Sequence, residues 1–146
     1  MKLIFRKVDT EKDIEKFDAL MDDLSERAND DEKLKKLIEK NNRRDEVYLM
    51  VAEDKDSGNL VGSLIGILFD DYCGDCRKIL VIENVVTSKA YRRQGVARKM
   101  FEHIENWGRE NDAHYVILGS AMHRHEAHKF YEAIGYEEIK GFKKYI

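Results

Sequence analysis

Proline is absent from the 146 residues, and no function attaches to that absence. Cysteine occurs twice. With no secretory segment in view, two cysteines exclude a disulfide framework and point to a reducing, cytoplasmic setting. A surplus of base is also missing: 26 basic residues face 29 acidic ones, for a net charge of −3. A generic nucleic-acid binder is basic, so that class is set aside. Long apolar runs are lacking too. The segment Met1 to Lys7 offers three consecutive apolar residues, too few for a signal peptide. Leu60 to Phe69, the longest run, is interrupted by Gly62, Ser63 and Gly66 and is too short to span a bilayer. No membrane partner is therefore expected. Linkers, repeats and low-complexity stretches are missing as well. Residues 1–146 read as a single domain, and 42% apolar residues suffice for one core.

What is present is a regular alternation of elements. Leu3 to Val8 reads as an opening strand. Thr10 to Asp13 suggests a helix start with a short capping box, and Ile14, Phe17, Leu20, Met21 and Leu24 mark one apolar face at helical spacing. A second helix turns Leu34, Leu37 and Ile38 inward. Val47 to Ala52 and Leu60 to Phe69 form a hairpin across the turn Asp56-Ser57-Gly58-Asn59. Gly62 and Gly66 inside that second strand predict a bulge or a close backbone approach. A polar loop, Asp70 to Arg77, leads to a third long strand, Lys78 to Thr87. Val96, Met100, Phe101, Ile104 and Trp107 define an amphipathic helix. The strand Tyr115 to Leu118 follows, then a helix carrying Ala127, Phe130, Tyr131 and Ile134 and closed by a left-handed Gly135. Tyr136 to Ile146 reads as two short strands bent at Gly141. The expected class is mixed α/β.

Charge is unevenly spread. Glu11 to Glu32 holds ten acids and three bases, a net of −7, whereas Ser88 to Lys99 holds five bases and no acid. The acidic stretch reads first as a solvated face. The basic island joins the apolar strand ending at Thr87 to the helix starting at Val96. Gly95 and the small Ala97 let backbone N–H groups converge there. The helix start adds free donors and positive dipole, and Arg92, Arg93 and Arg98 add charge. That chemistry suits a pyrophosphate. It is not a nucleotide P-loop, which needs G-x-x-x-x-G-K-[ST], nor a dinucleotide fingerprint, which needs three glycines. The plain alternative is a helix start that carries arginines.

At these residues the chain resembles the GNAT N-acetyltransferase superfamily. Its acetyl-CoA signature, Q/R-x-x-G-x-G/A, is met by Arg92-Arg93-Gln94-Gly95-Val96-Ala97. A second signature, A-x-x-[FL]-Y-E-x-x-G-[FY], is met by Ala127 to Tyr136. Two positions depart from the commoner pattern. Ala97 stands where glycine is more frequent, and Arg124 stands where the family often has an asparagine that reaches the cofactor. The resemblance implies a mostly antiparallel sheet flanked by helices, with splayed central strands forming the acetyl-CoA cleft. It implies acetyl-CoA as co-substrate, no metal, and direct acetyl transfer to a primary amine. The cofactor would be held by Arg92, Arg93, Gln94, Gly95, Val96, Ala97 and Arg98, and by main-chain groups of Val85, Val86 and Thr87.

Such a transfer needs a base for the amine, whose free pKa is about 10, and a proton for the leaving thiolate. Glu83 is the only charged residue between Ile79 and Thr87, so a partly desolvated carboxylate is expected there and is the candidate base. A Glu paired with a neighbouring arginine is the alternative, and His123 and His125 are reserve bases. Tyr131, on the apolar face of the last helix, is the candidate acid; the alternative is a core tyrosine whose hydroxyl is satisfied by backbone. Cys73-Gly74-Asp75-Cys76 is a C-x-x-C without the further ligands that zinc needs, and is read as a surface loop. His103 falls on the polar face of its helix and is expected to be solvated. The acidic stretch, with Asp70, Asp71 and Asp75, suggests a cationic acceptor: a polyamine, an aminoglycoside or a lysine-bearing peptide. A homodimer is left open. The rival function class is a non-catalytic acetyl-CoA-binding regulatory or interaction module.

Overall fold

The computed structural model describes residues 1–26 and 29–146; Arg27, one of the three bases counted in the acidic stretch, lies outside them. Five strands form one sheet in the order β1-β2-β3-β4-β5, where β1 is Leu3–Lys7, β2 Val47–Asp54, β3 Leu60–Asp70, β4 Lys78–Thr87 and β5 Ala113–Leu118. The first three pairings are antiparallel, and β4 and β5 run parallel. Helices α1 (Ile14–Asp22) and α2 (Asp31–Asn42) precede β2, α3 (Val96–Glu110) crosses from β4 to β5, and α4 (His125–Ala133) follows β5.

Both faces of the sheet are covered, which is why β2 and β3 read as near-continuous apolar runs. On one face Met50, Leu64, Leu80 and Ile82 pack with Met100, Phe101 and Ile104 of α3 and Tyr131 of α4. On the other, Val8, Val51 and Val86 pack with Phe17 and Leu20 of α1 and Ile38 of α2. The strand glycines serve a close approach. A Cβ on Gly62 would lie 2.8 Å from Met100 Sδ, and one on Gly66 2.8 Å from Ile104 Cδ1, so α3 rests almost on the β3 backbone.

Four expectations need correction. The first helix begins at Ile14, because the Asp9 carboxylate caps the preceding turn by accepting from the Glu11 and Lys12 N–H groups. Asp13 is not a capping-box acid. It is buried, accepts from Arg6 at 2.6 and 3.1 Å and from the Asp9 N–H at 2.8 Å, and Arg6 also pairs with Glu53. Leu37 points outward, since α2 meets the sheet along one narrow stripe in which Ile38 is buried and Asn42 Nδ2 donates to Val8 O. His103 is half-buried: its ring stacks on Phe5 at 4.8 Å, and its Nε2 lies 3.1 Å from the Tyr48 hydroxyl. Burial lowers its pKa, with Glu110 opposing. Residues 137–146 form no strand. Ile139, Phe142 and Tyr145 recur every third position, and Lys140 and Lys143 lie over the Phe142 and Tyr145 rings.

Candidate acetyl-transfer cleft

The cleft arises from a divergence of two parallel strands. Pairing between β4 and β5 ends at Ile82 and Leu118, while β4 continues to Thr87. Just beyond that point β4 carries a bulge: Ile65 faces Glu83 and Ser63 faces Val86, so Asn84 and Val85 together oppose Leu64. Asn84 has φ of 52°, a left-handed conformation that asparagine tolerates better than most residues. A bulge bends its strand and leaves the extra residue out of the ladder, so β4 turns away from β5 and main-chain groups at 84–85 become available. The sequence offered one signal for this, a lone Asn in an apolar strand.

A cleft of about 220 Å³ fills the wedge. Glu83, Asn84 and Val85 line it from β4, Leu118 and Gly119 from the end of β5, Arg124 from the residue before α4, Tyr131 from α4, and Leu24 and Ser25 from the segment after α1. Glu83 and Tyr131, 48 positions apart in sequence, are thus brought to one cavity. Glu83 is exposed and has no ion-pair partner among the described residues, so neither the expected desolvation nor a paired arginine is found. Tyr131 is buried, 8% exposed, with its ring against Phe101, Phe130 and Tyr136. No described residue hydrogen-bonds its hydroxyl, and its carbonyl accepts the Tyr136 N–H. Burial raises the pKa of that phenol; the charge of Arg124 pulls it back, and that of Glu83 pushes it further up. His123 and His125 are exposed and do not line the cleft.

Past Thr87 the chain makes a short 3-10 turn, Lys89–Tyr91, and enters α3 through Arg93 and Gly95, with φ of 62° and 79°. Gly95 is the N-cap and offers no side chain, so the first N–H groups of α3 are uncapped. Nothing lies within 4 Å of a Cβ built on Gly95. Arg92, Arg93, Gln94 and Arg98 are exposed, Ala97 is half-buried and Val96 buried. Arg92 Nε donates to Thr87 O at 3.4 Å and Gln94 Nε2 to Ala90 O at 3.3 Å, which tie the turn to itself. The open helix start, the two left-handed residues and the exposed arginines fit a pyrophosphate. Val86 is buried under α1, so only its main chain can face a ligand.

A larger hollow, about 350 Å³, lies between α1 and the 3-10 turn. Four of its polar side chains are engaged: Lys16 donates to Gly58 O, Asp23 accepts from the Lys89 N–H, and Asn59 donates to the Tyr91 hydroxyl. It brings none of the transfer candidates together. The acids of the β3–β4 loop sit at the opposite end of β4: Asp70 pairs with Lys78, and Asp71 with His114 at 2.8 Å. Asp70, Asp71 and Asp75 do not line the cleft. Cys73 and Cys76 are exposed free thiols in that loop, and no group of three metal-ligating side chains occurs among the described residues. No helix among those residues is long and apolar enough to cross a membrane.

The acetyltransferase (GNAT) family model matches residues 15–136. No curated protein matches the chain at a significant level. Among solved structures, glucosamine-6-phosphate N-acetyltransferase from Arabidopsis thaliana superposes with a TM-score of 0.86 at 22% identity, over 99% of each chain. An acetyltransferase from Trypanosoma brucei gives 0.83 at 20% identity over 99% of each chain. The aminoglycoside acetyltransferase AAC(6')-Iy, in complex with a CoA-based bisubstrate analogue, gives 0.82 at 19% identity over 100% of this chain and 98% of that one.

Proposed function

The chain belongs to the GNAT acetyltransferase family, and on that premise we propose that it moves an acetyl group from acetyl-CoA to a primary amine by direct attack. Acetyl-CoA supplies the activated thioester. The turn Arg92-Arg93-Gln94-Gly95-Val96-Ala97, with Arg98, holds the pyrophosphate through main-chain N–H groups and guanidinium charge. Main-chain groups of Val85, Val86 and Thr87, on the divergent part of β4, orient the arm that reaches the cleft. Fixing both partners in one wedge makes the reaction effectively unimolecular.

Glu83 Oε accepts the proton that the acceptor's ammonium must lose. Its exposed position at the cleft lets it do so directly or through one water. Tyr131 Oη gives a proton to the departing sulfur. Burial keeps that phenol protonated across the physiological range, as a donor requires. The observation that carries this reading is the juxtaposition of Glu83, the bulged main chain at Asn84–Val85, and Tyr131 with its hydroxyl unpaired among the described residues, all in one cleft.

The charge pattern of the sequence points to a cationic amine, yet the residues that reach the cleft from the segment after α1 are the uncharged Leu24 and Ser25, so the acceptor's charge is left to the test. Release of free thiol from acetyl-CoA, followed over polyamines, aminoglycosides, amino sugars, amino acids and lysine peptides, tests the reading. Amine-dependent release is expected. Acetyl-CoA binding with no amine-dependent release across the whole panel would assign the chain to the binding-module class instead.

A further inference from the structure

We propose that Arg124 binds an oxyanion carried by the acceptor, so that the substrate is a small amine with a carboxylate or phosphate near its reacting nitrogen. This rests on the acetyl-transfer reading. Two charged residues line the cleft, Glu83 and Arg124. Arg124 stands just before α4, where its N–H donates to Ala121 O and its carbonyl accepts the His128 N–H. Those main-chain bonds fix its backbone. Its side chain is exposed, and no described residue forms an ion pair or hydrogen bond with it. A guanidinium with five free donors at a cleft wall, in a chain of net charge −3, is not a structural tie.

The co-substrate does not call for it. The phosphates of acetyl-CoA match the basic turn beyond Thr87, and the pantetheine arm and thioester that reach the cleft are uncharged. The anion for Arg124 therefore comes with the acceptor. Glu83 supplies the complementary half: it lines the same cleft but lies outside ion-pair distance of Arg124. An amine that arrives as an ammonium toward Glu83, with its oxyanion toward Arg124, satisfies both charges. Arg124 presents a planar fork that matches carboxylate and phosphate geometry. Both charges also act on the Tyr131 hydroxyl, in opposite senses, which puts all three groups within one electrostatic reach. A cleft of about 220 Å³, shared with the thioester end, suits a small molecule. A polyamine would set a second cation against Arg124.

The test is steady-state kinetics with matched acceptor pairs: an amino acid against its decarboxylated amine and its amide, and an amino-sugar phosphate against the free amino sugar. The oxyanion-bearing member is expected to show about tenfold to hundredfold higher kcat/KM, mainly through acceptor KM. Comparing the two kinds of pair tells carboxylate from phosphate. In Arg124→Gln the ratio within the preferred pair should collapse toward one while KM for acetyl-CoA stays put, and Arg124→Lys should restore part of it. Turnover indifferent to the oxyanion, or an Arg124→Gln effect that falls on acetyl-CoA KM, overturns the assignment and leaves the transferase reading standing. No turnover of any member overturns this assignment, and the transferase reading falls with it when polyamines, aminoglycosides and lysine peptides fail as well.

Discussion

In the proposed transfer Tyr131 and Glu83 carry opposite halves of one proton balance, and their surroundings differ. Tyr131 is packed by aromatic rings, yet its hydroxyl makes no bond to a described residue. Removing that oxygen deletes no native hydrogen bond, so Tyr131→Phe should leave thermal stability and acetyl-CoA affinity intact. Its kcat should fall within the ~10²–10⁴ range of general acid–base groups. Undiminished kcat at neutral pH would make Tyr131 a core residue only. Glu83 is exposed on a strand otherwise committed to the core. Glu83→Gln removes the proposed proton acceptor while keeping the side chain's shape, so kcat/KM for the amine should fall with little change in acetyl-CoA affinity; an undiminished kcat/KM would remove Glu83 from the proton path.

In the proposed reading the β4–turn–α3 unit serves both the cleft and the phosphate turn through its backbone conformation. Gly95 has φ of 79° and is the N-cap, so a side chain there meets both strain and the incoming phosphates. Gly95→Asp adds negative charge at the same spot. It should abolish acetyl-CoA binding in calorimetry while the far-UV spectrum is retained; unchanged affinity in the folded variant would dismiss the turn as the phosphate site. The packing of α3 on β3 is a separate matter. Gly66→Ala would press a methyl to within 2.8 Å of Ile104 Cδ1, in the fully buried core. Overpacking of this kind costs about 1–3 kcal/mol. Ile104→Val removes that Cδ1, so it should recover part of the loss in denaturant titrations when combined with Gly66→Ala. A strictly additive double variant would show that the two sites do not meet.

At the scale of the whole molecule, a partly buried ion network ties the start of α1 to the sheet. Arg6 on β1 bridges Asp13, before α1, and Glu53 on β2. Burial pushes the Asp13 carboxyl up, but the bonds from Arg6 and the Asp9 N–H outweigh it and hold the group below its ordinary value. A lowered carboxyl contributes stability above its unfolded pKa, about 4, and that contribution is lost as pH falls through the folded value. Arg6→Ala strands a buried carboxylate and should cost about 3–5 kcal/mol at pH 7. The deficit should shrink below about pH 4, where Asp13 takes up a proton. Equal deficits at pH 7 and pH 3 in urea unfolding would show that the network acts by packing alone. The same scale decides the fate of the acidic surplus. Asp13 is in this network, Asp23 holds the Lys89 N–H, and Asp70 and Asp71 pair locally at the far end of β4, so little of the surplus faces the cleft.

The amino-acid sequence by itself determined the order of elements through β5 and α4, because their apolar spacing is long and regular and both sheet faces must be covered. The turn proposed to hold phosphate was legible as well, since its left-handed Gly95 and exposed arginines are matters of local backbone and charge. The close approach at Gly62 and Gly66 was legible for the same reason: only a missing Cβ admits α3 so near. What the tertiary structure alone decided depends on partners distant in sequence. Asp13 looked like a helix cap until Arg6 and the Asp9 N–H claimed it, and His103 looked solvated until Phe5 and Tyr48 closed over it. Residues 137–146 carry strand-forming side chains, but pairing is a property of two segments, and these residues are exposed and form no strand. The cleft is the clearest case. Glu83, Tyr131 and Arg124 share a cavity because a left-handed Asn84 bends β4 away from β5 at the position where their pairing ends. That angle is set by a register between strands, which no single stretch of sequence contains.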